Sequence, residues 1–226
     1  MKRIVEGSPR PRARTIGVIY LLYFLTAIFS VLLTKGLVVF DDAAATANNI
    51  LAHEPLYRSG FAIALIANAF YIALTALLYG LFEPVNRNMS LLAAFVSLIG
   101  CAVQISSSLL QLAPLVVLEH SQFLSGFTVE QLQAAALLFL KLHVQTSNIA
   151  LVFFALYDLL IGYLIFRSAF LPRIFGVLLM LAGLGWLTYL WPPLATSLSS
   201  YVQPLGFLAE FLLMLWLLVR GVDVSR

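Results

Sequence analysis

Six polar side chains lie inside or at the edges of long apolar runs, and their types are those that bind ligands: Lys35, Arg58, Gln111, His143, Asn148 and Glu210. A charge at a bilayer centre costs about 2.5–3.5 kcal/mol on insertion scales, so such residues turn toward a bundle interior and mark candidate sites. Lys35, Arg58 and Glu210 supply two cations and one anion, and the spare cation suits an anionic small molecule or a lipid phosphate. Gln111, His143 and Asn148 add hydrogen-bonding groups. Counting about 1.5 Å per residue from the expected outer ends of the spans, Lys35 and Glu210 lie roughly 8–9 Å deep, with Gln111 at similar depth. The six residues come from five spans and share the outer half, the pattern of an outward-facing polar cavity.

A plainer account competes with this one. Gln104, Ser107, Ser108 and Gln111 recur at helical spacing and form one stripe. Such groups join membrane helices through hydrogen bonds worth about 0.6 kcal/mol each. Lys35 and Glu210 would then be one neutralising pair, or Lys35 would snorkel outward. Asp158, beside Tyr157, is expected to bond Asn68 or Gln104, since nothing in the sequence supplies a proton path.

A second chemistry comes from His53, His120 and His143, which share the outer side with Asp41, Asp42, Glu54, Glu119 and Glu130. Asp42, Thr46, Asn49 and His53 share one helix face. Imidazole and carboxylate ligands suit zinc with an open water position. Asp42, His53 and His143 would be the ligands of a metal-dependent membrane hydrolase, which is the alternative. No H-E-x-x-H, nucleophile elbow, Walker loop or dinucleotide fingerprint is present. The expectation is therefore no metal, no cofactor and no catalytic residue. Cys101 is the single cysteine, so no intrachain disulfide can form.

The elements that must position these residues follow from composition. The 226 residues are 62% hydrophobic and 10% charged, with a mean hydropathy of +1.00. A soluble domain is about 45–50% apolar and about 25% charged, and a disordered chain is polar, so both classes are excluded. One span needs about 20 apolar residues, and six leave no room for a soluble enzyme domain. The expected fold is all-α: a polytopic integral membrane bundle of six transmembrane helices with two amphipathic extracytoplasmic helical links. The spans are expected at 16–40, 56–82, 91–118, 149–166, 174–191 and 204–219. Residues 1–14 read as a disordered cytoplasmic tail, 15–221 as the membrane domain and 222–226 as a second cytoplasmic tail. The first apolar run is too long for a signal peptide. Asp41 or Asp42 caps the first link and Pro55 ends it. Thr128 and Gln131 form a capping box that starts the second link, which runs into the fourth span. Residues 194–203 read as a polar loop.

With the N-terminus inside, ten Lys and Arg fall on the inner side and three, Lys35, Arg58 and Lys141, on the outer. That asymmetry places both termini in the cytoplasm. Trp186, Tyr189 and Trp191 would form an outer aromatic belt. The similar entries Arg14-Thr-Ile-Gly17-Val18 and Arg173-Ile-Phe-Gly176-Val177 open the first and fifth spans, and an inverted repeat would pair the first and fourth instead.

The order of motifs carries a resemblance. RTIGVIYLLYF, DDAAATANNILAHEPLYRSG and LYGLFEPVNRNMSLL come first, then FTVEQLQAAALLFLKLH, GYLIFRSAFLPRIFGVLLMLAGLGWL and GFLAEFLLMLWLLVRG. In that order, over residues 14–221, the chain resembles the bacterial family of six-span membrane proteins called domain of unknown function 4386. The resemblance implies the six-span fold and a bacterial inner (cell) membrane, and no reaction. It also implies an apolar residue where Asp158 stands, which argues against a shared role for that residue.

The sequence therefore points to an integral membrane protein that binds a small molecule or lipid headgroup in an outward-facing cavity, with transport as an extension. An accessory structural subunit of a membrane complex is the remaining alternative. Expected partners are the bilayer, the ligand and a homo-oligomer or larger complex. The net charge of +3 is read as a topology signal, so no nucleic acid is expected.

Overall fold

The computed structural model describes residues 9–119 and 124–222. Among these described residues are seven α-helices: α1 Pro9–Thr34, α2 Ala43–Ala52, α3 Glu54–Phe82, α4 Arg87–Leu118, α5 Val129–Arg167, α6 Arg173–Trp186 and α7 Pro192–Val219. No strand occurs among the described residues. Among the described residues six segments are long and apolar enough to cross a membrane, and the short α2 is not one of them. The fold is an all-α polytopic membrane bundle.

Local chemistry sets most boundaries. The expected tail at 1–14 is partly outside the described residues (1–8), and residues 9–14 are helix. At the other end α1 stops at Thr34 rather than 40. Gly36 takes a left-handed φ of 83° there, and the Leu37 amide bonds the Thr34 carbonyl at 3.1 Å. Asp42 caps α2 by accepting from the Ala45 amide at 2.8 Å. Pro55 does not end a helix; it sits in the first turn of α3, which starts directly after His53. Asn86 accepts from the Met89 amide at 3.1 Å where α4 begins.

The Thr128–Gln131 capping box forms as expected. The Thr128 amide bonds Gln131 Oε1 at 2.9 Å, and the Gln131 amide bonds Thr128 Oγ1 at 3.3 Å. The helix it opens does not pause. α5 runs 39 residues, so the second amphipathic link and the fourth span are one helix. The expected loop at 194–203 is also helix. Pro192 and Pro193 occupy the first turn of α7, and Thr196, Ser197 and Ser199 turn their hydroxyls back to Pro192, Leu194 and Thr196 carbonyls at 3.0, 2.9 and 3.1 Å. Self-satisfied hydroxyls let a polar stretch remain helical.

The chain divides into two compact units. Unit 1 lies within Met1–Leu22, Phe70–Gly100 and Leu151–Arg226; unit 2 lies within Tyr23–Ala69 and Cys101–Ala150. In unit 1 the helices meet backbone to backbone at glycines. A Cβ on Gly17 of α1 would lie 2.5 Å from the Leu218 amide nitrogen of α7. Gly162 of α5 and Gly176 of α6 each face the other's carbonyl, with Cβ positions at 2.7 and 2.5 Å. Small residues allow this approach where lipid offers no hydrophobic drive between helices. Gly17 and Gly176, which open the two similar entries, are thus both contact positions. Leu74, Phe82, Leu164, Leu213 and Leu217 are among the fully buried side chains. Unit 2 centres on Leu37, Ile50, Tyr57, Leu115 and Leu140. Thr46 of α2, fully buried, holds the Val39 amide and carbonyl with its hydroxyl at 2.9 and 2.8 Å.

Candidate functional site

In unit 2 the polar stripe of α4 meets α5. Gln104 Nε2 donates to Ser147 Oγ at 3.2 Å, and Ser107 Oγ lies 3.1 Å from Ser147 Oγ. Ser107 Oγ also donates to the His143 carbonyl at 2.8 Å. His143 Nδ1 lies 2.8 Å from Ser107 Oγ and 2.9 Å from the Ser107 carbonyl. A carbonyl only accepts, so the ring nitrogen that meets the Ser107 carbonyl must be the donor. Nδ1 therefore carries the ring proton of the neutral imidazole and Nε2 is left as an acceptor. Nε2 has no partner among the described residues. Ser107 is fully buried and His143 is half-buried. The imidazole is thus fixed at one nitrogen and open at the other.

The remaining candidates are placed differently. Arg58 bonds Glu54 Oε1 at 2.6 Å, one turn back along α3, and also Glu119. Its charge is matched by two carboxylates, so it is no spare cation. Gln111 contributes its backbone carbonyl, which accepts from the Tyr57 hydroxyl. Asn148 is half-buried in α5. Lys35 falls in the turn after α1 and is exposed. Glu210 belongs to unit 1. Because α7 starts at Pro192 rather than 204, Glu210 is 18 residues from that end of the helix and nine from Val219.

The histidine and acid set does not converge. Among the described residues no three His, Cys, Asp or Glu form a group able to hold a metal ion. Asp42 caps α2, His53 Nδ1 lies 3.1 Å from the Asn49 carbonyl, and His143 is held by Ser107. His120 lies outside the described residues.

Unit 1 holds a group that sequence reasoning did not assemble. Tyr20 of α1 donates to Glu210 Oε2 of α7 at 3.0 Å. Asp158 of α5 is 4% exposed, lies within electrostatic reach of Glu210, and its Oδ2 has no hydrogen-bond partner. The amides expected to satisfy Asp158 are used elsewhere: Asn68 donates to the Ala64 carbonyl at 2.9 Å and Gln104 to Ser147. Ser147 and Tyr20 were both missed. Ser147 had a signal, four residues beyond His143 on the same helix face; Tyr20, 190 residues from Glu210, had none.

Six apolar spanning helices with polar groups turned inward define a multi-pass membrane protein. Residues 15–221 match the family described as Domain of unknown function (DUF4386), and the chain belongs to that family. It is also 29% identical over 82 residues to an "Uncharacterized protein" of Archaeoglobus fulgidus, covering 35% of this chain and 48% of that protein. The match therefore spans about half the length of that relative. No solved structure matches.

Proposed function

We propose that this chain is a cell-membrane protein that binds a small molecule or lipid headgroup through His143, with both termini in the cytoplasm. The observation that carries the reading is the half-buried imidazole whose Nδ1 is fixed by Ser107 while Nε2 stays open. A pre-oriented acceptor suits a ligand that donates a hydrogen bond, such as a hydroxyl or an ammonium headgroup. Gln111 and Asn148 extend the same helices as further polar contacts. Lys35 and Arg58 are assigned only the rim, since one is exposed and the other is already paired.

Charge distribution supports the orientation. Among the described residues, unit 1 carries Arg10, Arg12, Arg14, Arg87, Arg167, Arg173 and Arg220 against Glu83, Asp158 and Glu210. Unit 2 carries Lys35, Arg58 and Lys141 against Asp41, Asp42, Glu54, Glu119 and Glu130. Under the positive-inside rule the helix ends that carry the arginines of unit 1 would face the cytoplasm. A bacterial inner membrane and a homo-oligomeric or larger assembly belong to the same proposal.

Native mass spectrometry on protein purified in mild detergent, with metal analysis of the same sample, tests the reading. A retained lipid or small molecule that is lost in His143→Ala, with the fold intact, is the expected result. A stoichiometric metal, or a ligand indifferent to His143→Ala, would overturn it.

A further inference from the structure

Unit 1 contains two carboxylates inside the spanning helices, and among the described residues no ion pair matches them. Asp158 and Glu210 interact electrostatically. The ion pairs of the described residues are Arg58–Glu54, Arg58–Glu119 and Arg87–Glu83, and none reaches this pair. Among the described residues, the other titratable groups within electrostatic reach are Tyr20 of α1, Tyr71 of α3 and Tyr157 of α5. All of these offer hydroxyls and none offers a positive charge. Two neighbouring carboxylates out of water cannot both be ionised without a compensating cation.

The two acids are not equivalent. Glu210 accepts a hydrogen bond from Tyr20, which is the environment of the charged form. Asp158 Oδ2 is buried and meets no donor, which is the environment of the neutral form. A protonated carboxyl needs no cavity and no set of ligands, whereas a metal ion would need more oxygens than these two side chains supply.

We propose that Asp158 and Glu210 form one proton-binding site within the membrane, with the proton resident on Asp158 and the negative charge on Glu210. The pair holds one proton and one net negative charge. Uptake of a second proton makes Glu210 neutral and weakens its hold on the Tyr20 hydroxyl; release of the first leaves two anions within electrostatic reach of each other. The pair thus exchanges single protons and reports each exchange to α1 through Tyr20. The inference rests on unit 1 alone and is independent of His143.

Infrared difference spectroscopy of the full chain in lipid nanodiscs tests it, reading the C=O stretch of protonated carboxyl groups. At neutral pH the wild type should show such a band. Labelling with carbon-13 aspartate should move it, which assigns it without any substitution. Asp158→Asn should abolish it, and Glu210→Gln should retain it. Exchanging sodium or potassium for a large organic cation should leave it unchanged. No band at neutral pH, a band blind to the aspartate label, or a band that appears only when alkali cations are removed would each overturn the proposal. The last would make the occupant a metal cation.

Discussion

The hydroxyl of Tyr20 donates to Glu210 Oε2 at 3.0 Å, joining α1 to α7 across 190 residues of sequence. A buried hydrogen bond is worth about 1 kcal/mol net, and up to about 3 kcal/mol when one partner is charged. Tyr20→Phe should lower unfolding stability in detergent by that amount. Adding Glu210→Gln should cost less than the sum of the two single changes, because both remove the same bond. A Tyr20→Phe protein that melts like the wild type would contradict this.

Gly17 cannot take a side chain without moving backbone, since its Cβ would stand 2.5 and 2.6 Å from Leu218 N and Cα. Gly17→Ala should destabilise by at least about 2 kcal/mol, as overpacking against an unyielding neighbour does. Gly80 of α3 has nothing within 4 Å of its Cβ position. Gly80→Ala should be neutral or stabilise by up to about 1 kcal/mol through the entropy of the unfolded chain. Thermal melting of the two variants side by side decides the point; equal shifts would count against the contact.

Thr46→Val keeps the shape of a fully buried residue and deletes both bonds to Val39. The Val39 amide and carbonyl then lose their protein partner, at a cost of about 1–3 kcal/mol. Hydrogen exchange should accelerate at Val39 and along α2 while unit 1 is unaffected. Uniform acceleration through the chain would show that the bond is not local in its effect.

Arg58 is the best-paired cation of unit 2, yet its side chain is 47% exposed. Exposed ion pairs contribute at most about 1 kcal/mol and are screened by salt. Arg58→Ala and Glu119→Gln should each shift the melting temperature slightly at low salt and not at high salt. A large, salt-independent loss would mean that the pair is desolvated in the membrane.

Much of the fold was legible because short-range chemistry sets it. Six apolar runs are enough to read six spans, since a bilayer accepts little else. Asp42 and the Thr128–Gln131 box start their helices because the cap bonds lie within three residues. The errors fell where a residue is locally ambivalent. Serine and threonine between 194 and 203 can serve a loop or bond their own helix, and proline can start a helix as well as end one. That ambiguity shifted the start of α7 by twelve residues.

The sequence by itself determined the class of protein, its family and the polar face of α4 that carries Gln104 and Ser107. Tertiary structure alone decided which polar groups meet: Ser107 with His143, Arg58 with Glu119, and Tyr20 with Glu210. Composition and helical period record which side of a helix must leave lipid. They hold no information on which distant helix stands there, because that depends on packing at positions such as Gly17 and Gly176, where the absence of a side chain lets two backbones touch.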